Sequence, residues 1–249
     1  MCKHCVIDPT PLLRFDFGPH HPFKIHRLEL AFSLMRACGL IDRPDVCVLP
    51  PRLATTEEAM GFHTQGYLET LRIASDGLWV PNLFTHGLGT SDNPIFPDVH
   101  DWGMLVAGAS IVCAEEILAG RARRAFNFAG GLHHAMPAHA SGFCHVNDAV
   151  LAIQRLVRAG KRVAYVDIDA HHGDGVQAAF YATADVLTIS MHQTGYTIFP
   201  GTGFVDEIGE GGEYPAATSR RDGSVLEPEI EQVAGDHERR GAIVERAEE

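Results

Sequence analysis

The chain has 249 residues, 45% of them hydrophobic, and a formal net charge of -12. That length and apolar content suit one α/β domain, or a domain and a half, with a sizeable core. The acidic balance argues against a nucleic-acid surface or an anionic membrane as partner, and no apolar run is long enough to span a bilayer. The start shows no basic-then-apolar leader, so a cytoplasmic location is expected. The six cysteines, apart from Cys2 and Cys5, are scattered through helix-like segments and lack the spacing of a disulfide framework. Cys2-Lys3-His4-Cys5 has no second pair to complete four metal ligands and reads as a frayed terminus.

Residues 6–25 predict a short strand and then a surface loop of proline, glycine and histidine. Residues 26–38 place Leu28, Leu30, Ala31, Leu34, Met35 and Cys38 on one helical face, with Gly39 as the stop and Arg27 as a solvated cation at the start. Thr55 or Thr56 ahead of Glu57 and Glu58 predicts a helix start, with an amphipathic pattern to about Ile73. Residues 76–99 are rich in Gly, Pro, Asn and Asp, an irregular connection of a length often given to function, and Asp92 lies in it. Residues 99–120 are small and apolar, as in a buried helix. Residues 124–129 read as a strand ending in Gly130-Gly131, with His133-His134 directly after. Asn147 or Asp148 then caps a helix that stops at Gly160.

The pattern centres on residues 163–175, VAYVDIDAHHGDG. Val163, Ala164, Tyr165 and Val166 predict a buried strand, which runs into Asp167, Asp169, His171, His172 and Asp174. So many polar groups at the end of a buried strand cost free energy unless a metal or fixed partners balance them. On an extended segment Asp167, Asp169 and His171 share one side. A carboxylate and an imidazole with no thiolate nearby suit a metal such as zinc. A short helix over 175–182 and a strand over 186–192 follow. The alternation predicts an α/β fold, a parallel sheet with helices on both faces. Ligands in such sheets sit beyond the carboxyl ends of the strands. Three of those ends carry the unusual residues: His133-His134, the aspartate cluster, and Ser190 with His192.

At GGLHHA, SGFCHVND, DIDAHHGDG, SMH and FPGTG the chain resembles the zinc-dependent deacetylases of the histone deacetylase superfamily. HGLGT at 86–90, DNPIFP and GGLHHAMPAHASGFC are most similar to its acetoin-utilisation branch. The resemblance implies an arginase/deacetylase-like fold and a role for each matching residue. Asp169 and His171 match two of three zinc ligands. His133 and His134 match the pair that exchanges protons with the water and the leaving amine, and Asp167 and Asp174 match the carboxylates that orient it. Phe143 and Phe199 match the walls of an acyl-lysine tube, and Asp92 the rim carboxylate that holds the substrate backbone. Ser190, with the backbone of Asp167, Asp169 and His171, matches an inner potassium site. The implied substrate is an acetylated protein or a small acetylated amine, and the chain is open to oligomerisation.

The motif-by-motif resemblance ends near Gly211-Gly212. It implies a deacetylase-like domain over 1–212 that stops short of the family's C-terminal part, and a divergent polar tail over 213–249. That tail has no counterpart of the third zinc-ligating aspartate or of the oxyanion tyrosine, and Tyr214 sits too early to serve. The competing expectation is therefore a non-catalytic relative that binds zinc weakly and hydrolyses acetyl-lysine slowly or not at all. A binuclear-manganese ureohydrolase fits less well, because it needs more bridging aspartates and has no His-His after Gly-Gly.

Overall fold

The computed structural model describes residues 2–204 and 206–210 and the backbone of a strand at 217–220. In chain order the elements are β1 (His4–Ile7), α1 (His26–Ala37), β2 (Val46–Leu49), α2 (Thr56–Ala59), α3 (Gln65–Ser75) and α4 (Val99–Leu118). There follow β3 (Arg124–Phe126), α5 (Asp148–Val157), β4 (Val163–Asp167), α6 (Asp174–Phe180), β5 (Val186–His192) and β6 (Ala217–Arg220). The strands form two parallel sheets, ordered β2-β1-β3 and β4-β5-β6.

Strand β1 is central in its sheet and apolar on both sides. Cys5 and Ile7 pack with Ala109 of α4, while Val6 packs with Phe32 of α1 and Ile41. In the second sheet Val163, Tyr165 and Val186 face Val150 and Ile153 of α5 and Val176 and Phe180 of α6. Helices thus cover both faces of the first sheet. Among the described residues they cover one face of the second, where the strand alternation sends Ala164 and Val166 outward to solvent.

Helix α4 is buried along most of its length, as its composition predicts. Gly108 lets it pass directly against the backbone of residues 52–54: a Cβ there would collide with the Arg52 carbonyl oxygen and lie 2.6 Å from the Ala54 nitrogen. Alanine is the better helix former by ~1 kcal/mol, but a clash with backbone costs ~1–3 kcal/mol and no side chain can rotate to relieve it. Gly108→Ala is therefore expected to destabilise by a net of up to ~2 kcal/mol, or up to roughly 8 °C in Tm. Calorimetry giving an equal or higher Tm would show that the clash is not felt.

Several expectations need correction. Residues 8–25 are not a surface loop, since Leu12, Phe15, Phe17 and Ile25 join the main core and Phe15 and Phe17 pack edge-on to Trp102. Helix α1 buries Leu28 and Phe32, while Leu30 and Leu34 are exposed. The helix begun at Thr55 has its capping box with Glu58 but ends at Ala59. The Thr64 hydroxyl caps the Tyr67 N–H and starts α3 anew. The start of the chain is not frayed: Lys3 and His4 donate to the Asp45 carbonyl, and Cys2 is disulfide-bonded to Cys47 with Cα atoms 5.7 Å apart. The parallel register sets Cys5, which is a free thiol, beside the same Cys47. The tail expected over 213–249, Tyr214 included, lies outside the described residues apart from the backbone of β6.

Candidate active site

The loop after β3 carries His133 and His134; Asp167 ends β4 and Asp174 opens α6. His133 Nδ1 lies 2.6 Å from Asp167 Oδ2, and His134 Nδ1 lies 2.7 Å from Asp174 Oδ1. The two imidazole centres are 4.0 Å apart. An ionised carboxylate can only accept, so each Nδ1 donates, and a neutral ring keeps Nε2 as a free base. Asp167 also accepts from the Tyr165 hydroxyl at 2.6 Å and from the Asp169 N–H at 3.0 Å. Sequence reasoning passed over Tyr165. It stands two residues before Asp167 on β4, so strand periodicity alone puts both on one side.

The environments of the two histidines differ. Burial pushes both rings toward the neutral form, but for His133 the Asp167 hydrogen bond, with the charges of Asp167, Asp169 and Asp174, outweighs it and leaves the pKa raised. For His134 burial prevails, helped by the charge of His133, and the pKa is lowered. Burial also works to raise the Asp167 carboxyl, yet His133 and Tyr165 hold it at about 2.

These groups open onto a cleft of about 490 Å³ lined by Asp92, His133, His134, Phe143, Asp169, His171 and Phe199 among others. Seven residues chosen from five separate stretches thus meet. The Phe199 ring lies 4.9 Å from that of His134, and Phe143, at φ +72°, packs 4.6 Å from the His21 ring. The segment just after Phe199 is held by a partly buried relay. His172 bridges Thr202 and Gln177, Gln177 donates to Glu207, and Glu207 takes the N–H groups of Gly203 and Phe204. Arg27 is exposed, as expected of a cation at a helix start, and it also lines the cleft, with its guanidinium 4.4 Å from the Phe23 ring centre.

Asp167, Asp169 and His171 do not share one environment, because the strand stops at Asp167. Asp167 Oδ1 takes the N–H of Asp169, and Asp169 Oδ1 takes the N–H of His171, two successive Asx turns that end the extended run. Asp167 is buried, whereas Asp169 and His171 remain about half exposed at the cleft, with His171 Nδ1 2.9 Å from Asp169 Oδ1. Ser190 pairs with Asp167 across β4 and β5 and bonds His192 Nδ1 at 2.9 Å; it is buried beneath the cleft. A catalytic zinc takes three protein ligands. The described residues offer a carboxylate and an imidazole, and none of their His, Cys, Asp and Glu side chains form a group of three disposed to hold a metal. The donor chemistry fits zinc, and the described set fits it in part.

The histidine pair sits on the first sheet and the Asp167 carboxylate on the second. Strands β3 and β4 share no ladder among the described residues, and a space of about 1010 Å³, walled by Leu34, Phe126, Phe128 and Val166, lies between them.

A family model described as the Histone deacetylase domain matches residues 21–243. The chain belongs to the histone deacetylase family. The matched residues run past Gly212. The acetoin utilization protein AcuC of Bacillus subtilis (strain 168) is 41% identical over 202 residues, 80% of this chain and 52% of that protein. Histone deacetylase 8 of Xenopus tropicalis is 44% identical over 187 residues, 74% of this chain and 50% of that protein. The chain spans about half the length of the curated relatives it matches. A crystal structure of an HDAC homolog from Aquifex aeolicus superimposes with a TM-score of 0.78 at 36% identity, covering 88% of this chain and 59% of that one. The similarity to AcuC bears out the resemblance to the acetoin-utilisation branch, and the parallel α/β architecture is that of the family's deacetylase homologs.

Proposed function

We propose that the cleft hydrolyses the acetyl amide of acetyl-lysine in a protein, or of a small acetylated amine. The observation that carries the reading is the pair of parallel His–Asp hydrogen bonds at the base of a cleft walled by Phe143 and Phe199. The two rings guide an apolar lysine stem, and Asp92 at the rim accepts substrate backbone N–H groups. His134, neutral, takes a proton from the attacking water. His133, whose pKa the Asp167 hydrogen bond raises, gives one to the departing amine. Asp169 and His171 would hold zinc, which supplies Lewis acidity toward the acetyl carbonyl and a more acidic water. Ser190, with the backbone of Asp167, Asp169 and His171, would hold a potassium ion.

The test is acetate release from an acetyl-lysine peptide by the full chain with added zinc, beside His133→Ala and Asp169→Ala. Release lost in both variants is expected. Release indifferent to both would mean a contaminant and sink the reading. Peptide binding without release would establish the second reading, a non-catalytic acyl-ligand binder. That reading is favoured by the two-donor set among the described residues.

A further inference from the structure

The loop that carries the histidine pair has to hold its backbone still while its side chains handle protons. Four of its backbone polar groups are taken up by two adjacent residues at the start of α5. The Asp148 carboxylate accepts the N–H of Gly131 at 3.0 Å and of Leu132 at 2.8 Å, just ahead of the pair. The Asn147 amide donates to the carbonyls of His133 at 3.2 Å and Ala135 at 3.0 Å, on either side of His134. Both residues are buried, at 2% and 0% exposure.

Each grip is itself fixed. Ser110 Oγ donates to Asp148 Oδ2 at 2.5 Å, and Asn127 donates to Ser110 Oγ at 2.9 Å. Asn147 Oδ1 caps the Val150 N–H, and its own N–H goes to His63 Nε2 at 3.0 Å. A helix cap needs the Val150 contact alone. The other bonds all run to the histidine loop or to its supports. Gly175 closes the far side, since a Cβ there would lie 2.5 Å from the His133 carbonyl oxygen and 2.6 Å from that of Ala135.

We infer that Asn147 and Asp148 are positioning residues that together clamp residues 131–135 and thereby set both His–Asp hydrogen bonds. The inference rests on reading His133 and His134 as the proton carriers. The clamp binds donors before the pair and acceptors around it, so the loop can neither slide nor rotate. With the backbone fixed, each Nδ1 meets its carboxylate and each Nε2 is left facing the cleft. A misplacement of about 1 Å in such a constellation costs about 10²-fold in rate.

The experiment reads the low-field Nδ1–H resonances of the two His–Asp pairs by proton NMR on the full chain, assigned with His133→Gln and His134→Gln, alongside kcat and KM for the acetyl-lysine peptide. Asp148→Ala is expected to abolish or shift both resonances and to lower kcat about 10²-fold with KM little changed. Asp148→Asn should rescue both, because its amide oxygen still accepts from Gly131 and Leu132 and its NH₂ can donate to Ser110. If Asp148→Ala does not fold, Asn147→Gly decides, since glycine costs only a few tenths of a kcal/mol at an N-cap yet removes the amide that holds both carbonyls. Leu151→Ala, also buried on α5, serves as the destabilised control and should keep both resonances. Clamp variants that keep both resonances, or a control that loses them equally, would overturn the inference. Turnover indifferent to His134→Gln would overturn the functional reading alone, because the resonances still report the clamp.

Discussion

His134→Ala is expected to lower kcat for an acetyl-lysine peptide by ~10²–10⁴-fold, the usual worth of a positioned general base. Its ring is buried, its pKa is lowered, and Asp174 fixes the tautomer that leaves Nε2 free. Beside it, the hydrogen bond to Asp167 raises the His133 pKa, and His171 is turned onto Asp169. His133→Ala should cost a comparable factor by a different route, through loss of the proton for the amine. KM should change little in both, since neither ring grips the substrate's remote parts. Steady-state kinetics with acetate detection decide it. A His134→Ala enzyme within twofold of the parent kcat would remove this residue from the chemistry.

Stability is expected to collapse on mild acidification, driven by two histidines away from the cleft. His63 and His145 are 2% and 0% exposed, and burial pushes each down to about 4. Unfolded, each returns to ~6.5. Between about pH 6.5 and 4 the unfolded chain binds protons that the folded chain refuses, so stability falls as pH falls, by about 1.4 kcal/mol per unit for each group. Across the window the two together remove roughly 7 kcal/mol, against a typical total of ~5–15 kcal/mol. Other groups do not cancel this. Asp167, held at about 2, keeps its contribution until the pH falls through that value. The His133 contribution is complete below ~6.5 and is lost only as pH rises. His134 and His172, both lowered by burial, act in the same direction as His63 and His145. Urea midpoints at half-unit intervals from pH 7.5 to 4.5 measure the slope, and a flat series would refute it. His63 also accepts from Asn147, so the neutral ring that the fold imposes is one of the supports of the histidine loop.

Much of the site was legible because its residues are chemically conspicuous. His133-His134 after Gly-Gly, and alternating carboxylates after an apolar strand, are hard to place anywhere but a site, and parallel α/β topology gathers strand ends. Tyr165 was missed because a tyrosine in an apolar run reads as packing, and its hydroxyl gains meaning only from the Asp167 contact. Arg27 reads as a solvated cation and is exposed; what the sequence does not show is that it lines the cleft with its guanidinium over Phe23. The burial of Phe15 and Phe17 was hidden by the proline and glycine around them, which mark a loop without saying on which side it runs. The Cys2–Cys47 pair could not be read from spacing, because 45 residues separate the two and only the folded chain brings them together.

The hydrogen bond from His133 to Asp167 joins one sheet to the other, and β3 and β4 have no ladder to hold their spacing among the described residues. This 2.6 Å contact therefore also ties the loop after β3 to the end of β4. That contact does not stand alone: Leu151 of α5 packs in the main core with α4, and Asn147 and Asp148 hold the histidine loop, so the path along which the proton is held is braced from both sides.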